Sequence, residues 1–169
     1  MQNIYAELTF VCPSYWLAEA YSSQCRKAYK YGFNVQPGTH ALDLPSYLGP
    51  LGGVPYLSAD VQRAVMTMWG RFVTQENPSL PHAVAAGTGA HAAARWPAFS
   101  VAQPYQLNID QTGGTAAVGA MEVYSPVDTI FFTEPGLRPG FSLVDAYTWE
   151  HGRGVRCDFW RSQAAIIPA

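Results

Sequence analysis

The chain of 169 residues is short of charge: Asp, Glu, Lys and Arg together make up 13% of it, while aromatic residues reach 14%. An ordinary soluble domain carries about 25% charged residues. Two readings of the shortfall stay open: a surface that expects to be covered by another polypeptide, or a secreted protein with a polar, uncharged surface. Basic residues form no dense cluster and the net charge is −2, which excludes nucleic acid as the expected partner. Long apolar runs are also missing, so no stretch approaches the ~20 residues that a membrane span needs. The N-terminus, MQNIYAELTF, lacks a basic start and a long apolar centre, and Glu7 interrupts it, so it does not read as a signal peptide. The one Asn-x-Ser/Thr triplet, Asn77-Pro78-Ser79, is disqualified as a glycosylation acceptor by its proline.

Reactive groups are sparse as well. There is no Gly-x-Ser-x-Gly pentapeptide, the elbow that exposes a hydrolase serine on a sharp strand-to-helix turn; Gly140-Phe141-Ser142-Leu143-Val144 lacks the second glycine. The four histidines, His40, His82, His91 and His151, do not pair at helical or finger-like spacing, so no metal site and no cofactor is expected. Cysteine is limited to Cys12, Cys25 and Cys157, and the odd count leaves at least one thiol outside any intramolecular bridge.

What is present suggests one domain mixing helix and strand, without repeats or an internal boundary. Residues 3–10 read as a short helix or turn. Pro13 suits a first helical position ahead of a helix over 14–23, with Trp16, Leu17, Ala20 and Tyr21 at helical spacing. Residues 26–34 suggest a strand whose buried face holds Ala28, Tyr29, Tyr31, Phe33 and Val35. A short turn or helix over 43–50 follows. Ser58 caps the clearest helix, 59–75, whose stripe of Val61, Val65, Met68, Trp69, Phe72 and Val73 core packing explains. Residues 83–94 and 111–145 read as loops or insertions, 103–110 as a strand, and 155–163 as a closing helix anchored by Phe159 and Trp160. His40 stands out by position. It follows a strand and a Pro-Gly turn, where α/β enzymes place working residues, with Asp43 three positions on. Alone, such a histidine is more often polar surface.

Several segments together resemble the C-terminal region of the type B carboxylesterase and lipase family, which includes the cholinesterases. They are Phe10-Val11-Cys12-Pro13, Tyr29-Lys30-Tyr31-Gly32-Phe33, the stretch from His40 through Asp43 to Gly49, Met68-Trp69-Gly70-Arg71-Phe72-Val73 with Glu76-Asn77-Pro78, Arg95-Trp96-Pro97-Ala98-Phe99, and Cys157-Asp158-Phe159-Trp160. Glu76 stands where the family commonly has glycine. The order spans roughly residues 5–163, and its ending, Ala146-Tyr147-Thr148-Trp149-Glu150 with Arg156-Cys157-Asp158-Phe159-Trp160, is most similar to fungal members. The resemblance implies the C-terminal portion of an α/β-hydrolase fold, with a few strands flanked by helices over the whole of 1–169. It implies acyl-enzyme ester hydrolysis with His40 as general base and acid. It implies that Leu44, Tyr47 and Leu48 either line a pocket wall or pack, and that Cys12 pairs with Cys157, leaving Cys25 free. The family's serine, acid and oxyanion loop lie upstream of these motifs and have no counterpart in this sequence. The isolated chain is therefore expected to be inactive, to take a small-molecule ester only when completed by an N-terminal part, and to self-associate through uncovered apolar surface. The family is often secreted, and a disulfide needs an oxidising compartment. The alternative is a non-catalytic binding protein derived from a truncated esterase.

Overall fold

A computed structural model describes residues 2–81, 92–120 and 128–166. His82, His91 and most of the Ala-rich stretch 83–94 lie outside the described residues. The fold mixes helices with small sheets. The helices are α1 (Gln2–Ala6), a π-helical turn (Glu7–Val11), α2 (Cys12–Tyr21), α3 (Leu44–Leu48), α4 (Ala59–Gln75) and α5 (Trp149–Ser162). The strands are β1 (Lys30–Phe33), β2 (Tyr105–Ile109), β3 (Gln111–Thr112), β4 (Thr115–Ala120), β5 (Asp128–Thr133), β6 (Arg138–Pro139) and β7 (Ser142–Asp145), and Ala92–Arg95 form a 3-10 turn. One sheet has the order β1-β2-β7, and β3-β6 and β4-β5 form two antiparallel pairs. No described helix is long and apolar enough to cross a membrane.

The chain divides into two compact units. The first comprises Met1–Lys30, Pro97–Gln106 and Leu143–Ala169. Its core is Cys12, Tyr15, Ala146 and Cys157, with Val11, Trp16 and Trp160 packed against it. The Tyr15 hydroxyl donates to the Ala146 carbonyl, so the ring is buried with its polar end satisfied. Cys12 and Tyr15 therefore turn the face containing Ala18 inward, and α2 buries Cys12, Tyr15 and Ala18. Leu17 and Tyr21, two of the expected packing residues, are 60% and 55% exposed instead. Glu7 ties the π-helical turn to α5: its carboxylate accepts from Arg156 Nε at 2.7 Å and Trp160 Nε1 at 3.0 Å. These donors hold its carboxyl below the usual range despite burial, the largest influence, which opposes them. α5 starts earlier than expected and kinks where Glu150, His151 and Gly152 take left-handed conformations. Trp160 anchors it as expected, whereas Phe159 is 55% exposed.

The second unit comprises Tyr31–Trp96 and Leu107–Ser142. Ser58 caps α4 as the sequence indicates, its Oγ accepting from Val61 N at 3.2 Å. The stripe on α4 is only half core. Val61, Ala64, Val65 and Met68 are buried, but Trp69, Phe72 and Val73 in the second half are exposed. Gln62 is fully buried and fastens α4 to the preceding link. Its Nε2 donates to the carbonyls of Pro45 and Pro50 at 2.9 and 3.1 Å, and its Oε1 accepts from Gly52 N. A polar side chain at a core position is thus the device that closes the Gly-Pro-rich stretch onto the helix. The stretch 111–145, read as loops, carries five strands; its residues 121–127 lie outside the described residues. Small residues in β4 (Ala116, Ala117, Gly119) hide the period-2 pattern that would have announced them, and their partners come from β5, where Ala117 faces Phe131 and Val118 faces Ile130.

Candidate functional site

His40 lies in the second unit, in a turn between β1 and α3. The backbone leading to it is fixed at both ends. Asn34 N donates to Ile109 O at 2.8 Å, continuing the β1–β2 pairing, and Val35 is fully buried. Gly38, with φ +66°, turns the chain and donates its N–H to Val35 O at 2.8 Å. His40 follows, exposed. On its far side Leu42 is 7% exposed, and the Leu42 and Leu44 N–H groups donate to Thr39 O and Ala41 O at 3.3 and 3.1 Å. Two successive tight turns therefore present one exposed histidine between buried Val35 and buried Leu42.

Asp43 clamps this turn to its neighbours. Its Oδ2 accepts from Tyr31 Oη in β1 at 3.0 Å and from Tyr47 Oη in α3 at 3.3 Å, while its main-chain carbonyl accepts from the buried Ser46 hydroxyl. Burial first, and the Asp43 charge second, push Tyr31 and Tyr47 above the usual phenol range. Both phenols remain donors across the physiological range. The Tyr47 ring packs on Trp69 of α4 with centroids 5.2 Å apart. Tyr47 thus has a packing role, and Leu44 and Leu48, which share α3 with it, are 42% and 76% exposed.

Ala41 carries the strain. Its φ of +66° places a side chain in the left-handed region, which costs a non-glycine residue roughly 1–2 kcal/mol. Such strain collects at functional sites, because a stable scaffold elsewhere holds it in place. Glycine would relieve it at the expense of a looser unfolded chain. Ala41→Gly should therefore raise stability by about 1 kcal/mol, read as a shift of the urea midpoint at unchanged slope. A loss of stability would mean that the turn is not left-handed at this position.

The other sequence-selected residues, Cys12 and Cys157, lie in the first unit and form a disulfide with Cα atoms 5.1 Å apart. Cys25 is free and exposed. Cys157 sits within α5 rather than at its start. Among the described residues no group of three or more His, Cys, Asp or Glu could hold a metal ion. The sequence pattern did not mark Tyr31 as a partner of Asp43. A tyrosine one residue inside a strand, twelve positions from an acidic residue, carries no signal until the turn brings them together. Compared with protein-family models, with curated proteins and with solved structures, the chain finds no match.

Proposed function

We propose that this chain is the C-terminal portion of a type B carboxylesterase-like α/β-hydrolase, and that His40 is its general base. The observation that carries the reading is the presentation of His40 itself: an exposed histidine just past a strand, beside a left-handed alanine, in a turn clamped by Asp43. A general base must be held within hydrogen-bond reach of the proton it takes, and a rigid turn at a strand end does that. The Cys12–Cys157 bond lends support, because it joins the two cysteines that the resemblance pairs.

His40 would take the proton of a serine hydroxyl as the serine oxygen attacks the ester carbonyl. It would return that proton to the leaving alcohol as the tetrahedral intermediate collapses. Water then repeats the sequence and releases the acid. The serine, its orienting acid chain and the oxyanion donors must come from a polypeptide segment not contained in these 169 residues. Leu44 and Leu48, exposed on the helix that follows His40, would form one apolar wall for the ester.

The isolated chain should therefore hydrolyse p-nitrophenyl acetate no faster than free imidazole. Saturable turnover that vanishes in His40→Ala but survives in every Ser→Ala variant would contradict the need for an outside nucleophile.

A further inference from the structure

Lys30 ends the first segment of the first unit and is only 6% exposed. Its Nζ donates to Ser14 Oγ at 2.7 Å and lies 4.1 Å from the centroid of the Tyr15 ring. Ser14 in turn donates to Val11 O at 2.6 Å. The neighbouring carboxylates of this unit are engaged elsewhere. Glu7 holds Arg156 and Trp160, Glu19 holds Arg161, Glu150 pairs with Arg153, and Asp145 Oδ1 accepts from the Tyr147 and Thr148 N–H groups. The ionisable groups that act on Lys30 are Tyr15 of α2, beneath the amine, and Arg153 of α5. Behind them Glu7, Asp145 and Arg156 act on Tyr15. A proton on Lys30 thus adds a second positive charge near Arg153, in a buried setting where the amine's partners are a hydroxyl and an aromatic face. The Tyr15 face favours the charged amine, but burial without a carboxylate partner and the Arg153 charge oppose it more strongly, so the amine sheds its proton more readily than one in water.

We propose that Lys30 is a proton-operated latch on α2: the neutral amine seats against Ser14 and Tyr15 and holds the helix closed, and uptake of a proton loosens it. The disulfide at Cys12 retains the start of the helix, so the opening concerns residues 14–21. Burial, and then repulsion by Arg153, lower Lys30 from 10.5 to about 7. Once opened into water, the amine returns to its ordinary range near 10.4. The closed state therefore binds fewer protons than the open one between about pH 7 and pH 10. Closure is weakest at and below about pH 7, strengthens by close to tenfold per pH unit above it, and levels off near pH 10. Tyr15, pushed up to about 12 chiefly by burial, stays protonated in this window. The latch does not depend on any role for His40.

Two measurements on the intact, oxidised chain test it. One is the pH titration of the Lys30 ε-methylene resonances. The other is amide hydrogen exchange of residues 14–21 between pH 6 and pH 9.5, corrected for intrinsic exchange. The expected result is a Lys30 titration near pH 7, with protection of α2 flat below it and rising about tenfold per unit above it. In Lys30→Met that protection should no longer depend on pH. Should Lys30→Met fail to fold, Arg153→Gln serves instead: losing the repelling charge should move the Lys30 titration upward. A Lys30 titration above pH 9.5, the same pH dependence in Lys30→Met, or a titration unmoved by Arg153→Gln would overturn the latch.

Discussion

Removing the Cys12–Cys157 bond should be the costliest change to stability. The bridge closes a loop of 145 residues. Chain entropy alone then puts its contribution near 5 kcal/mol. Both sulfurs sit in the core of the first unit, at 0% and 2% exposure, beside Tyr15 and Ala146. Cleavage would therefore leave two buried thiols holding the same space, so the entropic part dominates the loss. The loop encloses in sequence the whole of the second unit, yet both cysteines belong to the first. Unfolding of α2 and α5 should accordingly respond most. In Cys12→Ser/Cys157→Ser the midpoint of thermal unfolding should fall by roughly 10–20 °C relative to the oxidised protein. Peptide mapping without reductant should recover Cys12 joined to Cys157, with Cys25 alone open to alkylation. Equal midpoints, or Cys25 in the bridge, would contradict this arrangement.

The sequence was most legible where local chemistry and packing agree. The helix 59–75 appears with those bounds because Ser58 caps it, Asp60 sits in its first turn and Asn77-Pro78 follows its end. The turn around His40 was legible too, since Pro37 and Gly38 announce it. Faces were harder to read than elements. In β1 the alternation suggested Tyr31 and Phe33 as the buried side, whereas Lys30 is buried and those two are half-buried. A lysine stem is apolar enough to pack, and period-2 reading scores the charged tip instead. In α2 the apolar residues Leu17 and Tyr21 outvote Cys12, Tyr15 and Ala18 by hydrophobicity, but a disulfide and a tyrosine hydroxyl bond decide which side turns in. On α4 the stripe is continuous in sequence while its second half stays exposed at Trp69, Phe72 and Val73. Periodicity records which face could be covered, and says nothing of how far along the helix cover extends. The Asp43 clamp was invisible for a different reason: it joins a strand, a turn and a helix through two tyrosine hydroxyls, contacts that only the fold creates.

The second large effect belongs to His40, and it bears on the central claim. A histidine that serves as base and acid in both halves of ester hydrolysis is lost at a cost of roughly a million-fold in turnover, as in a comparable triad. The measurement is ester hydrolysis by this chain combined with a polypeptide that carries a Gly-x-Ser-x-Gly elbow and the rest of a carboxylesterase sheet. It compares the unaltered chain with His40→Ala and His151→Ala at matched concentrations. The expected result is turnover only in the combination, reduced by at least ten-thousand-fold in His40→Ala and unchanged in His151→Ala. Turnover that persists undiminished in His40→Ala would contradict the proposal that this chain is the histidine-bearing part of a serine carboxylesterase.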